Sequence, residues 1–163
     1  MNIIRQVASS MVKFKYMKRI IIYFCIGFGI SLAETVYHIH IEGTIDLGLP
    51  PFIERSIAEA EENNARSIIF EVNTFGGRVD AATQIKDAIL DSKVPTVAFI
   101  NKRAISAGAL ISLSCEKVFM AGGATIGATT AVDMQGNKAS EKVISYMREE
   151  MAATAEKRGR NTY

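Results

Sequence analysis

Ser106, Lys142, the glycine pair Gly76-Gly77 and Ala107 are the residues of this 163-residue chain whose types and settings could do chemistry together. Ser106 follows an apolar run and precedes the small pair Ala107-Gly108, where a helix is expected to begin. A hydroxyl held at a helix N-terminus can attack a carbonyl, and small residues after it let that carbonyl approach the backbone. The amide of Ala107 can then point at the developing oxyanion. Gly76-Gly77 closes a second apolar run; glycine permits unusual φ angles and close approach, so an amide of the pair, Gly77 ahead of Gly76, can supply the second donor. Taken singly, Ser106 reads as an N-cap hydroxyl and the glycines as a plain turn. Their pairing points to acyl chemistry.

Such a serine needs a base. The two histidines, His38 and His40, both lie in the first expected strand and would have to fold back to reach Ser106, which disfavours a Ser-His-Asp triad. Lysine can serve if it is neutral, which requires its pKa to fall from about 10.4 toward working pH. Lys142 falls in the first turn of the last expected helix beside Val143 and Ile144, where the macrodipole and an apolar surround would both disfavour the ammonium. Lys138 follows Gly136-Asn137 in a polar turn, where solvation keeps it charged. Spacing alone leaves Lys142 open between a base and a surface cation. His38 and His40 share one strand face but have no third ligand nearby in sequence, so they are read as structural, and neither a metal nor a cofactor is expected. Cys115, with no histidine after it, reads as a buried small hydrophobe. The other cysteine, Cys25, lies in an apolar run, so no disulfide framework is expected.

The elements that must hold these residues follow from periodicity. Thr35–Glu42 alternates as a half-buried strand, and Phe52–Ala65 has helical spacing after Pro50-Pro51. Ser67–Val72 is a short β-branched strand that Thr74-Phe75-Gly76-Gly77 interrupts before Val79, Ala82, Ile85 and Ile89 resume a helical period. Pro95–Ile100 is another buried strand, followed by the small-residue segment Ala104–Ser114. Lys117–Ala121 is a third, and Gly122, Gly123 and Gly127 mark a loop. The last helix begins near Ser140, with Val143, Met147, Met151 and Ala155 on one stripe. Repeated strand-turn-helix units predict an α/β fold with a mainly parallel sheet, whose sites lie at the carboxyl ends of strands.

Residues 1–33 read as an address. Arg5, Lys13, Lys15, Lys18 and Arg19 precede the apolar stretch Ile20–Leu32, and Ser31 and Ala33 occupy the small-residue positions before a cleavage at Glu34. A signal peptide or an uncleaved anchor is therefore expected, with an exported, membrane-associated or extracytoplasmic domain over residues 34–163. A net charge of +2, from 19 basic and 17 acidic residues, gives no field that argues for nucleic acid.

The segments Asn73–Ala82 (NTFGGRVDAA), Ala104–Ser112 (AISAGALIS) and Gly123–Val132 (GATIGATTAV) together resemble the NfeD family of membrane-bound ClpP-class serine proteases, over roughly Val36 to Asn161. The resemblance implies a ClpP/crotonase-like fold and a serine endopeptidase. It implies that Ser106 is the nucleophile and that Lys142, ahead of a long helix ending in Gly159-Arg160-Asn161, is the base. It also implies oxyanion donors at Gly77 and Ala107, and cleavage of hydrophobic segments in stomatin-like membrane partners. A protein or peptide substrate and a homo-oligomer (dimer) are the partners expected. Family members usually continue into further helices, membrane spans and a small β-barrel, so an incomplete domain is expected here. Two other classes stand beside the protease: a membrane-associated scaffold or binding module without catalysis, and an acyl-CoA enzyme of the related crotonase fold, which export disfavours.

Overall fold

The structure is a computed structural model that describes residues 34–127 and 140–161. The expected leader, the polar turn and Lys138 lie outside the described residues. The elements run β1 (Val36–Ile45), α1 (Leu49–Glu62), β2 (Ser67–Gly77), α2 (Val79–Asp91), β3 (Thr96–Ile105), α3 (Ala107–Ser114), β4 (Lys117–Met120), β5 (Thr125–Gly127) and α4 (Glu141–Lys157). The sheet is parallel in every pairing, with order β1-β2-β3-β4 and with β5 also paired to β3. This is the α/β architecture expected from the alternation of strand and helix periods.

Alternation along the strands decides where the core lies. In β2, Ile68, Phe70, Val72 and Thr74 are buried, whereas Ile69, Glu71 and Asn73 between them are half-buried. The buried set meets the apolar stripes of the helices: Ile53, Ile57 and Ala60 of α1, and Ala81, Ala82, Ile85 and Ile89 of α2. Helix α3 is buried nearly all round, which its composition of Ala, Gly, Leu, Ile and Ser allows without stranding a charge. Leu110 and Ile111 are fully buried within it, each stabilising the fold by about 1.5–3 kcal/mol.

The strands run further than local pattern predicts. β2 continues through Thr74-Phe75-Gly76-Gly77, and β3 continues five residues past Ile100 to Ile105. The cause is pairing between distant segments. Thr44 and Ile45 lie opposite Gly76 and Gly77, Thr74 lies opposite Ala104, and Arg103–Ile105 pair with β5, a strand formed inside the expected glycine loop. Helix α3 accordingly starts at Ala107, three residues after Ala104.

Candidate active site

Ser106 sits at the hinge between β3 and α3 with φ 53° and ψ −115°. Among the described residues, it and Asn64 are the non-glycine residues with positive φ. Such a conformation costs an L-residue on the order of 1–3 kcal/mol and persists only where the surroundings impose it. They do so here: Ser106 N donates to Gly127 O at 2.9 Å, while Ser106 O accepts from Ala109 N at 2.9 Å and Leu110 N at 3.3 Å. The first bond ties the hinge to the end of β5 and the others to the first turn of α3. The side chain makes no cap hydrogen bond and is half-buried, so its hydroxyl is left for other work.

The glycine pair is built against this hinge. Gly76 has φ +106°, and a Cβ there would lie 2.9 Å from both Ile105 O and Ser106 Cβ and 3.2 Å from Ala107 N. Any side chain at Gly76 would therefore press on the serine and on the amide beside it. A Cβ on Gly77 would lie 2.6 Å from Ile45 N and closer still to Ile45 O, so the approach of β1 requires glycine there as well. Arg78 N donates to Ile45 O at 2.8 Å. In a parallel ladder with Ile45 opposite Gly77, the amide of Gly77 itself is turned away from β1, toward β3.

The two glycine amides are not equivalent. Gly76 N donates to Thr74 Oγ1 at 2.9 Å, and Thr74 Oγ1 donates in turn to Gly43 O at 2.5 Å. Thr74, 2% exposed, thus knots the end of β2 to the bend in β1. Its Cγ2 also packs over Gly108, where a Cβ would come within 2.5 Å of it. Sequence reasoning passed over Thr74 and Gly127; both belong to motif segments, but their roles depend on partners about 30 and 20 residues away. Ala107, 1% exposed, is the first residue of α3, and an amide in that position has no acceptor within its own helix.

Lys142 is the second residue of α4 and is exposed, whereas Val143 and Ile144 after it are half-buried. Lys142 borders a depression of about 750 Å³ together with Arg78, Val79, Asp80, Thr83, Gln84, Val143 and Tyr146. Among the described residues, the apolar neighbours of Lys142 are thus Val143 and Ile144 on its own helix and Val79 across the depression. Ser106 is not among the lining residues. A bidentate pair holds one rim: Arg78 donates to Asp80 at 3.0 and 2.7 Å, and these bonds hold the Asp80 carboxyl below the usual carboxylate range.

Helix α4 is fastened to the rest of the fold at several points. Tyr146 Oη and Thr83 Oγ1 lie 3.3 Å apart. Lys86 Nζ donates to Glu150 at 2.6 Å and contacts Asp87 at 2.9 Å. Burial pulls the Lys86 ammonium down, but its bonds to Glu150 and Asp87 outweigh that and leave its pKa raised. At the far end Gly159, with φ +66°, turns the chain back as Arg160 N donates to Ala155 O at 2.8 Å. Arg158 then donates to Ser114 O and Ile89 O, and Arg160 to Leu113 O, Cys115 O and Glu116 O. Two guanidinium groups therefore cap the C-terminal end of α3, where cations also complement the helix dipole. Beneath them Cys115 is fully buried, and burial pushes its thiol up to about 12.

Comparison with known proteins adds ancestry to this geometry. Residues 35–163 match the family model of the NfeD1b N-terminal domain. The chain is 41% identical over 128 residues to membrane protein NfeD1b of Bacillus subtilis, covering 78% of this chain and 29% of that protein. It is 34% identical over 134 residues to the membrane-bound protease PH1510 of Pyrococcus horikoshii, covering 77% of this chain and 30% of that one. The chain thus spans under a third of the length of these relatives. Among solved structures, a serine-to-alanine variant of the 1510-N membrane-bound stomatin-specific protease superposes with TM-score 0.73 at 32% identity, covering 79% of this chain and 66% of that one. ClpP1 of Listeria monocytogenes superposes with TM-score 0.62 at 24% identity, covering 77% of this chain and 74% of that one, a likeness of fold. The fold is ClpP-like, and the chain belongs to the NfeD1b N-terminal-domain family.

Proposed function

We propose that this chain is the protease domain of a membrane-associated serine endopeptidase, with Ser106 as nucleophile and Lys142 as base. The observation that carries the proposal is the conformation of Ser106: a non-glycine residue kept at positive φ on a strand-helix hinge, with its hydroxyl unspent and a glycine turn packed against its Cβ. In this reading Ser106 Oγ attacks the peptide carbonyl and its proton passes to Lys142 Nζ. The amides of Ala107 and Gly77 stabilise the oxyanion, each such donor contributing about 2.7–4 kcal/mol to the transition state. Gly76 N is the lesser candidate because Thr74 already accepts from it. Lys142 returns the proton to the leaving amine as the peptide C–N bond breaks, and water then hydrolyses the acyl-enzyme ester, its proton restoring the Ser106 hydroxyl. Exposed Phe75 and Ile126, each one residue before a glycine at the hinge, support a substrate with a hydrophobic segment. A stomatin-like partner, membrane association, export by residues 1–33 and a dimer complete the proposal. The names of the relatives support the first two.

The test is cleavage of a hydrophobic peptide by the full chain, with Ser106→Ala and Lys142→Ala compared. Loss of turnover in both is expected; undiminished cleavage by Ser106→Ala would sink the assignment. A second reading, a membrane-associated scaffold without catalysis, is favoured by the exposure of Lys142 and by the absence of Ser106 from the lining of the depression that Lys142 borders. Labelling of Ser106 by a fluorophosphonate would count against it.

A further inference from the structure

His38 and His40 find in the fold the third ligand that the sequence leaves out. They lie two residues apart on β1, so both point to the same face of the sheet. The β1-β2 register sets Glu71 opposite His40 on that face. His38 Nε2 lies 2.9 Å from Glu71 Oε2, and His40 Nδ1 lies 3.8 Å from the same oxygen. One ligand atom from each residue falls within 4.8 Å of the other two. A tetrahedral zinc ion with bonds of about 2.0–2.2 Å separates its ligand atoms by about 3.4 Å, so the two distances straddle the required value. We propose that His38, His40 and Glu71 form a binding site for a divalent transition ion of the zinc class.

Two details distinguish this cluster from a chance meeting of side chains. Asn101 Nδ2 donates to Glu71 Oε1 at 2.7 Å, which turns the other carboxylate oxygen toward the imidazoles, as partners behind metal ligands do. The imidazole side chains are 49% and 57% exposed while Glu71 is 16% exposed, so an ion would be anchored from below and open to solvent above. Imidazole and carboxylate are a donor set suited to zinc, and three protein ligands leave a fourth position for water. The site joins β1 to β2, whose far ends bring Ile45 against Gly77 and the Gly43 carbonyl against Thr74. Occupancy would therefore stiffen the strand pairing that positions the glycine turn. The proposal does not depend on peptide cleavage.

Titration of the full chain, in detergent and without a polyhistidine tag, with zinc chloride in a calorimeter tests it. One saturable equivalent per chain is expected, with a rise in unfolding midpoint that EDTA reverses. His38→Ala/His40→Ala should abolish saturable binding, and Asn101→Ala should weaken it about 10–100-fold while leaving the ligands in place. Cobalt should give the visible absorption of a four-coordinate site. Absence of saturable binding in the parent, or binding unchanged in the double-histidine variant with native circular dichroism, would overturn the assignment.

Discussion

Replacing Arg160 by alanine should open the far end of α3 to solvent, and Cys115 makes that opening measurable. Arg160 holds Leu113 O at 2.6 Å, Cys115 O at 2.7 Å and Glu116 O at 3.1 Å. A hydrogen bond from a charged donor contributes about 1.5–3 kcal/mol net. Arg160 is half-buried and Glu116 exposed, so water replaces part of this, and a loss of about 2–3 kcal/mol for the whole clasp is the reasonable figure. The thiol beneath is fully buried, and in the native state its pKa of about 12 keeps it protonated. Alkylation at pH 8 must therefore wait for local opening. If the clasp governs that opening, 2–3 kcal/mol accelerates labelling about 30- to 150-fold, at a factor of ten per 1.4 kcal/mol. The measurement is the rate of iodoacetamide incorporation, read by mass spectrometry, in a Cys25→Ser background. Arg160→Lys, which keeps the charge and loses the fork, should fall between. A rate for Arg160→Ala within twofold of the parent would refute the clasp as the element that shuts this end of the helix.

Further expectations follow from the hinge and from α4. Ser106→Gly relieves the positive φ at some cost in unfolded-state entropy and should raise stability by about 0.5–2 kcal/mol in urea unfolding; destabilisation relative to Ser106→Ala would count against the strain. Gly76→Ala should cost about 2–5 kcal/mol, because a left-handed φ and contacts at 2.9 Å add together. Gly43→Ala, at φ +73° with nothing within 4 Å, should cost only the backbone share of about 1–2 kcal/mol, and equal losses at the two positions would contradict the packing argument. Because the folded-state pKa of Lys86 is raised, its contribution is complete below the unfolded value of about 10.4 and is lost as pH rises through the higher folded value. The urea midpoint of the parent should therefore fall more steeply than that of Lys86→Met above that pH, and parallel profiles would dismiss the Lys86–Glu150 pair as a stabiliser.

The serine and the lysine differ in how far sequence alone could take them. Ser106 was legible because its setting is local: an apolar strand, then small residues that make a tightly buried helix, then a hydroxyl at the junction. Its positive φ was not legible, since nothing in Ile-Ser-Ala demands it; it is held by the bonds to Ala109, Leu110 and Gly127, the last brought in by a three-residue strand that no periodicity marks. The same holds for the extensions of β2 and β3. Gly76-Gly77 and Lys102-Arg103 are poor strand sequences, and the strands reach past them because β1 pairs with the glycines and β5 with Arg103–Ile105. Glu71 is 31 residues from His40, and only the register joins them. Lys142 stands at the other limit. Its place in the first turn of α4 could be read from the stripe of Val143, Met147 and Met151, but the neutrality required of a base depends on what covers it. In the described residues Val143 and Tyr146 flank it on its own helix, and α2 with its N-cap Arg78 supplies the Arg78–Asp80 pair and Thr83. That surround is part charged and part open, so the role proposed for Lys142 rests on what else packs over it, which no local pattern in α4 encodes. The proposed nucleophile thus depends on one hinge, whereas the proposed base depends on residues from separate elements.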